Sequence, residues 1–181
     1  MEKWENPFTD VKESDWFYSA IKYVFENKLM YGTGSDKFDP KGSTTRGMIV
    51  TMLHRLEGTS EPGISNPFDD IAENKYYGKA VIWATENNIV SGYGNGNFGP
   101  DDPITREQMV LIFMNYAKYK GYDTSARADL DKFTDFDKIT TWSKDAMAWA
   151  NAENLVLGDG VNLDPTGKAE RCQAAVIFQR F

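Results

Sequence analysis

Two Thr-Arg pairs, Thr45-Arg46 and Thr105-Arg106, stand 60 residues apart, and a third arginine, Arg171, follows 65 residues after the second. A guanidinium stays charged at neutral pH and presents a planar fork of donors that matches a carboxylate. These residues therefore suit anion capture. Threonine before arginine is also a helix-start signal. Thr105-Arg106-Glu107-Gln108 fits a capping box, while Thr45 offers the same cap without the reciprocal partner. Each arginine then opens a helix, beside backbone N–H groups expected to be free and the positive helix end, both favourable to an anion. Gly32 and Gly34, with Gly92 and Gly94 in the second copy, precede the pairs and allow a backbone to approach a ligand closely. Tyr93, Tyr23, Trp83 and Trp149 offer ring faces for stacking. Tyr23, Trp83 and Trp149 share one helical register beside an apolar stripe, so core packing is the stronger expectation for them.

The elements that must position these residues repeat with them. Residues 6–46 and 66–106 are one pattern written twice without a gap, sharing Asn-Pro-Phe, Asp10 and Asp70, Ala20 and Ala80, Phe38 and Phe98, and Pro40 and Pro100. A looser third copy carries Phe133, Asp135, Ala146, Trp149, Gly158, Gly160, Leu163, Pro165 and Arg171. In each copy an apolar run with helical spacing predicts a first helix, over 16–28, 76–88 and 142–154. Glycines after it read as cap and turn signals. A second helix starts at the Thr-Arg position, with buried stripes Ile49, Met52, Leu53, Leu56, then Met109, Ile112, Phe113, Tyr116, then Ala174, Ile177, Phe178, Phe181. Short extended pieces are expected near 38–40 and 98–100. Three such units would each be marginal alone and must share a core. The expected fold is mainly α: three helix-loop-helix repeats, at 1–58, 66–121 and 132–181 with linkers 59–65 and 122–131, packed with pseudo-threefold symmetry into one compact body.

Bulk composition narrows the partners. With 20 Lys+Arg against 27 Asp+Glu the 181-residue chain has a net charge of −7, which gives no basic field for nucleic acid. No stretch approaches the ~20 apolar residues of a membrane span, and Met1-Glu2-Lys3-Trp4 does not open a signal peptide. An exported parent would then have its leader outside this chain. The lone Cys172 excludes an internal disulfide and reads as an inert helical residue. His54 has no partner for a metal or a triad, and no carboxylate pair recurs. Gly94-Asn95-Gly96-Asn97-Phe98-Gly99 matches a dinucleotide pattern by accident, since no strand precedes it, and the loops lack the ligand spacing of a calcium site. No cofactor or metal is expected.

The residues resemble the S-layer homology (SLH) domain family. The matching signature is Phe68-Asp69-Asp70, Ala80, Gly92-Tyr93-Gly94, Phe98-Gly99-Pro100 and Ile104-Thr105-Arg106-Glu107, and it recurs in order over almost the whole chain. The resemblance implies a non-catalytic module of the bacterial cell wall or S-layer. Its grooves between repeats would hold secondary cell-wall polysaccharide, often pyruvylated, and anchor a larger exported protein. On that reading the ligand-binding residues are Arg46, Arg106, Thr45, Thr105, Gly32, Gly34, Gly92, Gly94 and Tyr93, with Arg171 and Trp83 weaker. Copy three departs from the signature, with Glu170 in place of the Thr cap and a loop one residue shorter before Leu163. A carboxylate there would repel an anion, so the Arg171 site is expected to be weakened and at most two strong sites to remain. A rival expectation is a helical-repeat module for protein interaction or surface-layer self-assembly.

Overall fold

A computed structural model describes residues 4–181; Met1, Glu2 and Lys3, part of the stretch read against a signal peptide, lie outside the described residues. Six α-helices form the body: α1 (Tyr18–Glu26), α2 (Arg46–Leu56), α3 (Gly78–Glu86), α4 (Arg106–Tyr119), α5 (Lys144–Ala152) and α6 (Arg171–Arg180). The first helix of each repeat begins two residues later than its periodicity suggests. Phe17, Tyr77 and Ser143 stand at its N-cap without a side-chain cap bond, and the residues before them form turns. The second helices begin at the arginines.

Helix ends correct one expectation. The residues in the left-handed conformation just past α1, α3 and α5 are Lys28, Asn88 and Asn154, not glycines. Asparagine tolerates that conformation, and the turn closes through Leu29, Ile89 and Leu155 N–H donating back to Val24, Ala84 and Ala150 carbonyls. Gly92 serves a different need. A Cβ there would lie 2.5 Å from the Phe68 ring and 2.7 Å from the Asn97 carbonyl, so the loop packs on its own leading segment only without a side chain. Gly32 meets Phe8 and Lys37 in the same way.

Each second helix packs against the first helix of the next repeat: α2 on α3, α4 on α5, and α6 back on α1. Helical periodicity says which face is buried but not which helix covers it. The closure is cyclic. Phe113 and Phe178, from α4 and α6, meet edge-on at 4.8 Å within one core that takes in all three repeats.

No strand occurs among the described residues. The extended backbone lies not at 38–40 or 98–100 but at the approach to each second helix, in isolated bridges Ser43 with Glu170, Thr45 with Pro103 and Thr105 with Lys168. Three buried residues close a triangle there. Thr44 N–H donates to the Ala169 carbonyl, Ala169 N–H to Ile104, and Ile104 N–H to Thr44, each at 2.9 Å. One bond per repeat thus ties the three helix starts together around the pseudo-threefold axis.

Candidate functional site

The threonine caps form as expected, with Thr45 Oγ1 and Thr105 Oγ1 each accepting from the third helical N–H at 3.2 Å. Gln108 Oε1 accepts from Thr105 N–H at 3.0 Å. The first repeat does have a reciprocal partner: Thr45 N–H points at the Met48 sulfur at 3.5 Å, a weak acceptor in the glutamine's place. In the third repeat Gln173 Oε1 accepts from Glu170 N–H at 3.0 Å. Lys41 pairs with the Glu170 carboxylate at 3.1 Å.

The helix N-termini are not open to an anion through their backbone. Arg46 N–H donates to Asp102 and Gly47 N–H to Pro100; Arg106 and Glu107 donate to Gly167 and Pro165; Arg171 and Cys172 donate to Gly42 and Pro40. The neighbouring repeat's turn consumes the amides that the sequence suggested were free. Any attraction for an anion therefore rests on the guanidinium groups.

Each guanidinium reaches into the glycine loop of the next repeat. Arg46 Nε donates to the Phe98 carbonyl at 3.0 Å and Nη2 to Ser91 at 3.1 Å. Arg171 repeats this against the first repeat, with Nε to Phe38 at 2.9 Å and Nη2 to Tyr31 at 2.6 Å. Arg106 Nε donates to the Leu163 carbonyl at 2.9 Å, but no described residue accepts from its terminal nitrogens. Burial lowers the pKa of all three from the ordinary arginine value, leaving them charged at neutral pH.

The aspartates shared by the three copies bind backbone. Asp10 accepts from Phe38 and Asp39 N–H, Asp70 from Phe98 and Gly99, and Asp135 from Leu163 and Asp164, at 2.7–2.9 Å. They fold the loop whose carbonyls the arginines then read. Burial pushes the Asp10 carboxyl up, but the two backbone donors outweigh it and the net shift is downward.

The three grooves differ in what covers the arginine. Tyr93 lies over Arg46 with 4.8 Å to its ring centre, and its hydroxyl donates to Asp102 at 2.8 Å. Arg46 is 7% exposed and Arg171 5%. The Arg171 groove has a cavity of about 220 Å³ walled by Leu29, Met30, Tyr31, Met48 and Arg55 from repeat 1 and Tyr76 from repeat 2. Around Arg106 the cavity is about 460 Å³, lined by residues 155–159 and 162–164 and by α6 of repeat 3. Trp16 of repeat 1 forms its far wall.

Trp16, Tyr76 and Trp142 are exposed aromatics that immediately precede the capping residue of α1, α3 and α5. The sequence reading passed over them because they stand outside the apolar stripes; their recurrence at one repeat position was the available signal. Of the ring faces named from sequence, Trp83 and Trp149 are buried, and Trp83 stacks within the core between His54 and Tyr119. Gly34 and Gly94 line open space, and Gly94 needs its positive φ of 83°. His54 is buried with Nε2 2.7 Å from the Ser60 carbonyl. Cys172 is fully buried, and burial pushes its thiol pKa up to about 12, so it is no nucleophile at neutral pH.

Three such grooves ring a module built from repeats. The family pattern of the S-layer homology domain matches residues 7–47, 67–110 and 132–175, and the chain belongs to that family. It is 32% identical over 174 residues to an endoglucanase of Bacillus sp. (strain KSM-635), covering 95% of this chain and 18% of that protein. It is 24% identical over 174 residues to the surface-layer 125 kDa protein of Lysinibacillus sphaericus, covering 93% and 14%. A cellulosome-anchoring protein of Acetivibrio thermocellus is 27% identical over 88 residues, covering 46% and 20%. The chain thus spans a fifth or less of the length of these relatives. No helix among the described residues is long and apolar enough to cross a membrane.

Proposed function

We propose that this chain is a non-catalytic cell-wall anchor that binds secondary cell-wall polysaccharide in the grooves between its repeats and holds a larger exported protein at the bacterial surface. The observation that carries the reading is the placement of a charged arginine from one repeat in the loop of the next, three times over, with the Arg106 groove open to solvent. An acidic substituent such as a pyruvate ketal offers the planar carboxylate that a guanidinium binds through paired donors. Partial burial strengthens that contact by lowering the local dielectric. Relatives named as a surface-layer protein and a cellulosome-anchoring protein support the location, and the presence of the same region in an endoglucanase fits a carrier that is separable from chemistry.

Co-sedimentation with purified wall sacculi, before and after extraction of the polysaccharide, tests this function. The chain is expected to pellet only with unextracted walls. Arg46→Ala combined with Arg106→Ala should abolish pelleting while the protein remains folded by circular dichroism. Pelleting that survives extraction would favour the protein-interaction or self-assembly reading instead.

A further inference from the structure

The second residue of each second helix stands at the junction with the next repeat's first helix, and the three junctions carry different chemistry there. On α2 that residue is Gly47, where a Cβ would lie 3.3 Å from the Cβ and the ring of Tyr77, the N-cap of α3. The missing side chain makes room for the tyrosine. On α6 it is Cys172, fully buried, and the corresponding N-cap of α1 is Phe17, buried as well. A thiol of this kind packs as a small apolar group. On α4 it is Glu107, and the N-cap of α5 is Ser143.

Glu107 is the exception among the three. It is 3% exposed, and no cation pairs with it among the described residues. Repeat 3 supplies its donors instead, all on Oε2: Ser143 Oγ at 2.7 Å, and Thr140 N–H and Oγ1 each at 3.0 Å. Ser143 makes no cap bond to α5, so its hydroxyl is available across the junction. The positive end of α5 favours the same carboxylate. A buried carboxylate is tolerated where such donors meet it and strongly disfavoured where they do not. Pairing α4 with the start of α3 would press Glu107 against Tyr77, in a place that fits Gly47 only because it has no side chain. Pairing α2 with the start of α5 would leave the donors of Thr140 and Ser143 facing a glycine. Each wrong pairing carries a penalty that the right one lacks.

We infer that Glu107 with Thr140 and Ser143 is a polar key that fixes the cyclic order of the three repeats, and that the fit of Gly47 on Tyr77 excludes this key from the neighbouring junction. Order matters to the grooves, since each arginine enters the loop of whichever repeat closes on it. The partner rejected is a repeat presented out of turn, above all one from a second copy of this chain. The order is set in this way whatever the grooves bind.

The test uses the whole chain and two readouts. In urea unfolding, Thr140→Val with Ser143→Ala strands the Glu107 carboxylate and should lower the midpoint most. Adding Glu107→Ala to that pair should raise the midpoint again, because no buried charge is then left without its donors. Losses that simply add would overturn the key. In refolding at high protein concentration, size exclusion with light scattering reads closure onto a second copy as dimers. Glu107→Ala and the triple variant should each give a dimer fraction several-fold above the parent's. Phe8→Leu, which loosens packing on Phe25 and Phe38 inside repeat 1, should stay monomeric despite its lost stability. Dimers that follow lost stability whatever the site, a parent-like dimer fraction in the Glu107 variants, or a triple variant that does not fold would likewise overturn it.

Discussion

Arg46 and Arg106 open two helices that start alike, behind threonine caps of the same geometry, and send the same Nε to an equivalent loop carbonyl. One is nevertheless sealed by Tyr93 and tied by a second bond to Ser91, while the other faces a 460 Å³ groove. The difference lies not in the repeat that owns the arginine but in the next one, whose loop receives it. A single repeat is therefore half a site, and degeneracy in one repeat is felt in its neighbour's groove. The third repeat, with its altered motif and shortened loop, supplies the receiver beside the 460 Å³ cavity.

The contrast should first appear as unequal losses of stability. Arg171→Ala removes bonds to Phe38 and Tyr31, and Arg46→Ala removes bonds to Phe98 and Ser91; each should cost about 2–3 kcal/mol. At this chain length that lowers the melting temperature by roughly 5–10 °C. Arg106→Ala loses one such bond and should cost about half as much, so three equal losses by calorimetry would erase the distinction.

The loops should separate next. Gly92→Ala drives a Cβ into the Phe68 ring and the Asn97 carbonyl and should cost about 1–3 kcal/mol in chemical denaturation. Gly34→Ala points into open space and should stay within about 0.5 kcal/mol of the parent. Comparable penalties at both positions would show that the glycines serve chain flexibility and not close packing.

A smaller effect follows from the link between repeats 1 and 2. Glu57, capping α2, accepts from Tyr116 on α4 and from Lys120, which caps that helix. Burial raises its carboxyl pKa, yet Lys120 and Tyr116 together outweigh that and bring it below the ordinary value. A carboxyl lowered on folding contributes stability above its unfolded pKa and loses it as pH falls through the folded one. Thermal melts of the parent should thus decline faster below about pH 4.5 than those of Glu57→Gln, which starts about 1 kcal/mol less stable at neutral pH. Parallel pH curves for the two would count against this bridge.

Much of the fold was legible because apolar residues at i, i+3, i+4 and i+7 mark a buried helical face whatever covers it. Ile49, Leu53, Ile112 and Ile177 are buried as that spacing requires, whereas Leu56, at the end of its stripe and of α2, is 40% exposed. The partner of each stripe was not legible, since α2 on α3 and α6 on α1 depend on how repeats close in space. The arginines stood out by recurrence. Their surroundings did not, because the carbonyls of Asp102, Gly167 and Gly42 that occupy the helix N-termini come from distant parts of the chain. Trp16, outside the apolar stripes, gave no sign that it walls a groove made by repeats 2 and 3.

The central claim, an anion-reading saccharide groove shared by all three repeats, is tested most directly by NMR titration of the chain with a pyruvylated disaccharide and with its unmodified form. The account predicts that only the pyruvylated sugar binds, with shifts gathered on the Arg106 and Arg180 side chains, the loop at 155–164 and the Trp16 indole N–H. Equal binding of both sugars, or shifts that leave the arginine grooves unmoved, would contradict it.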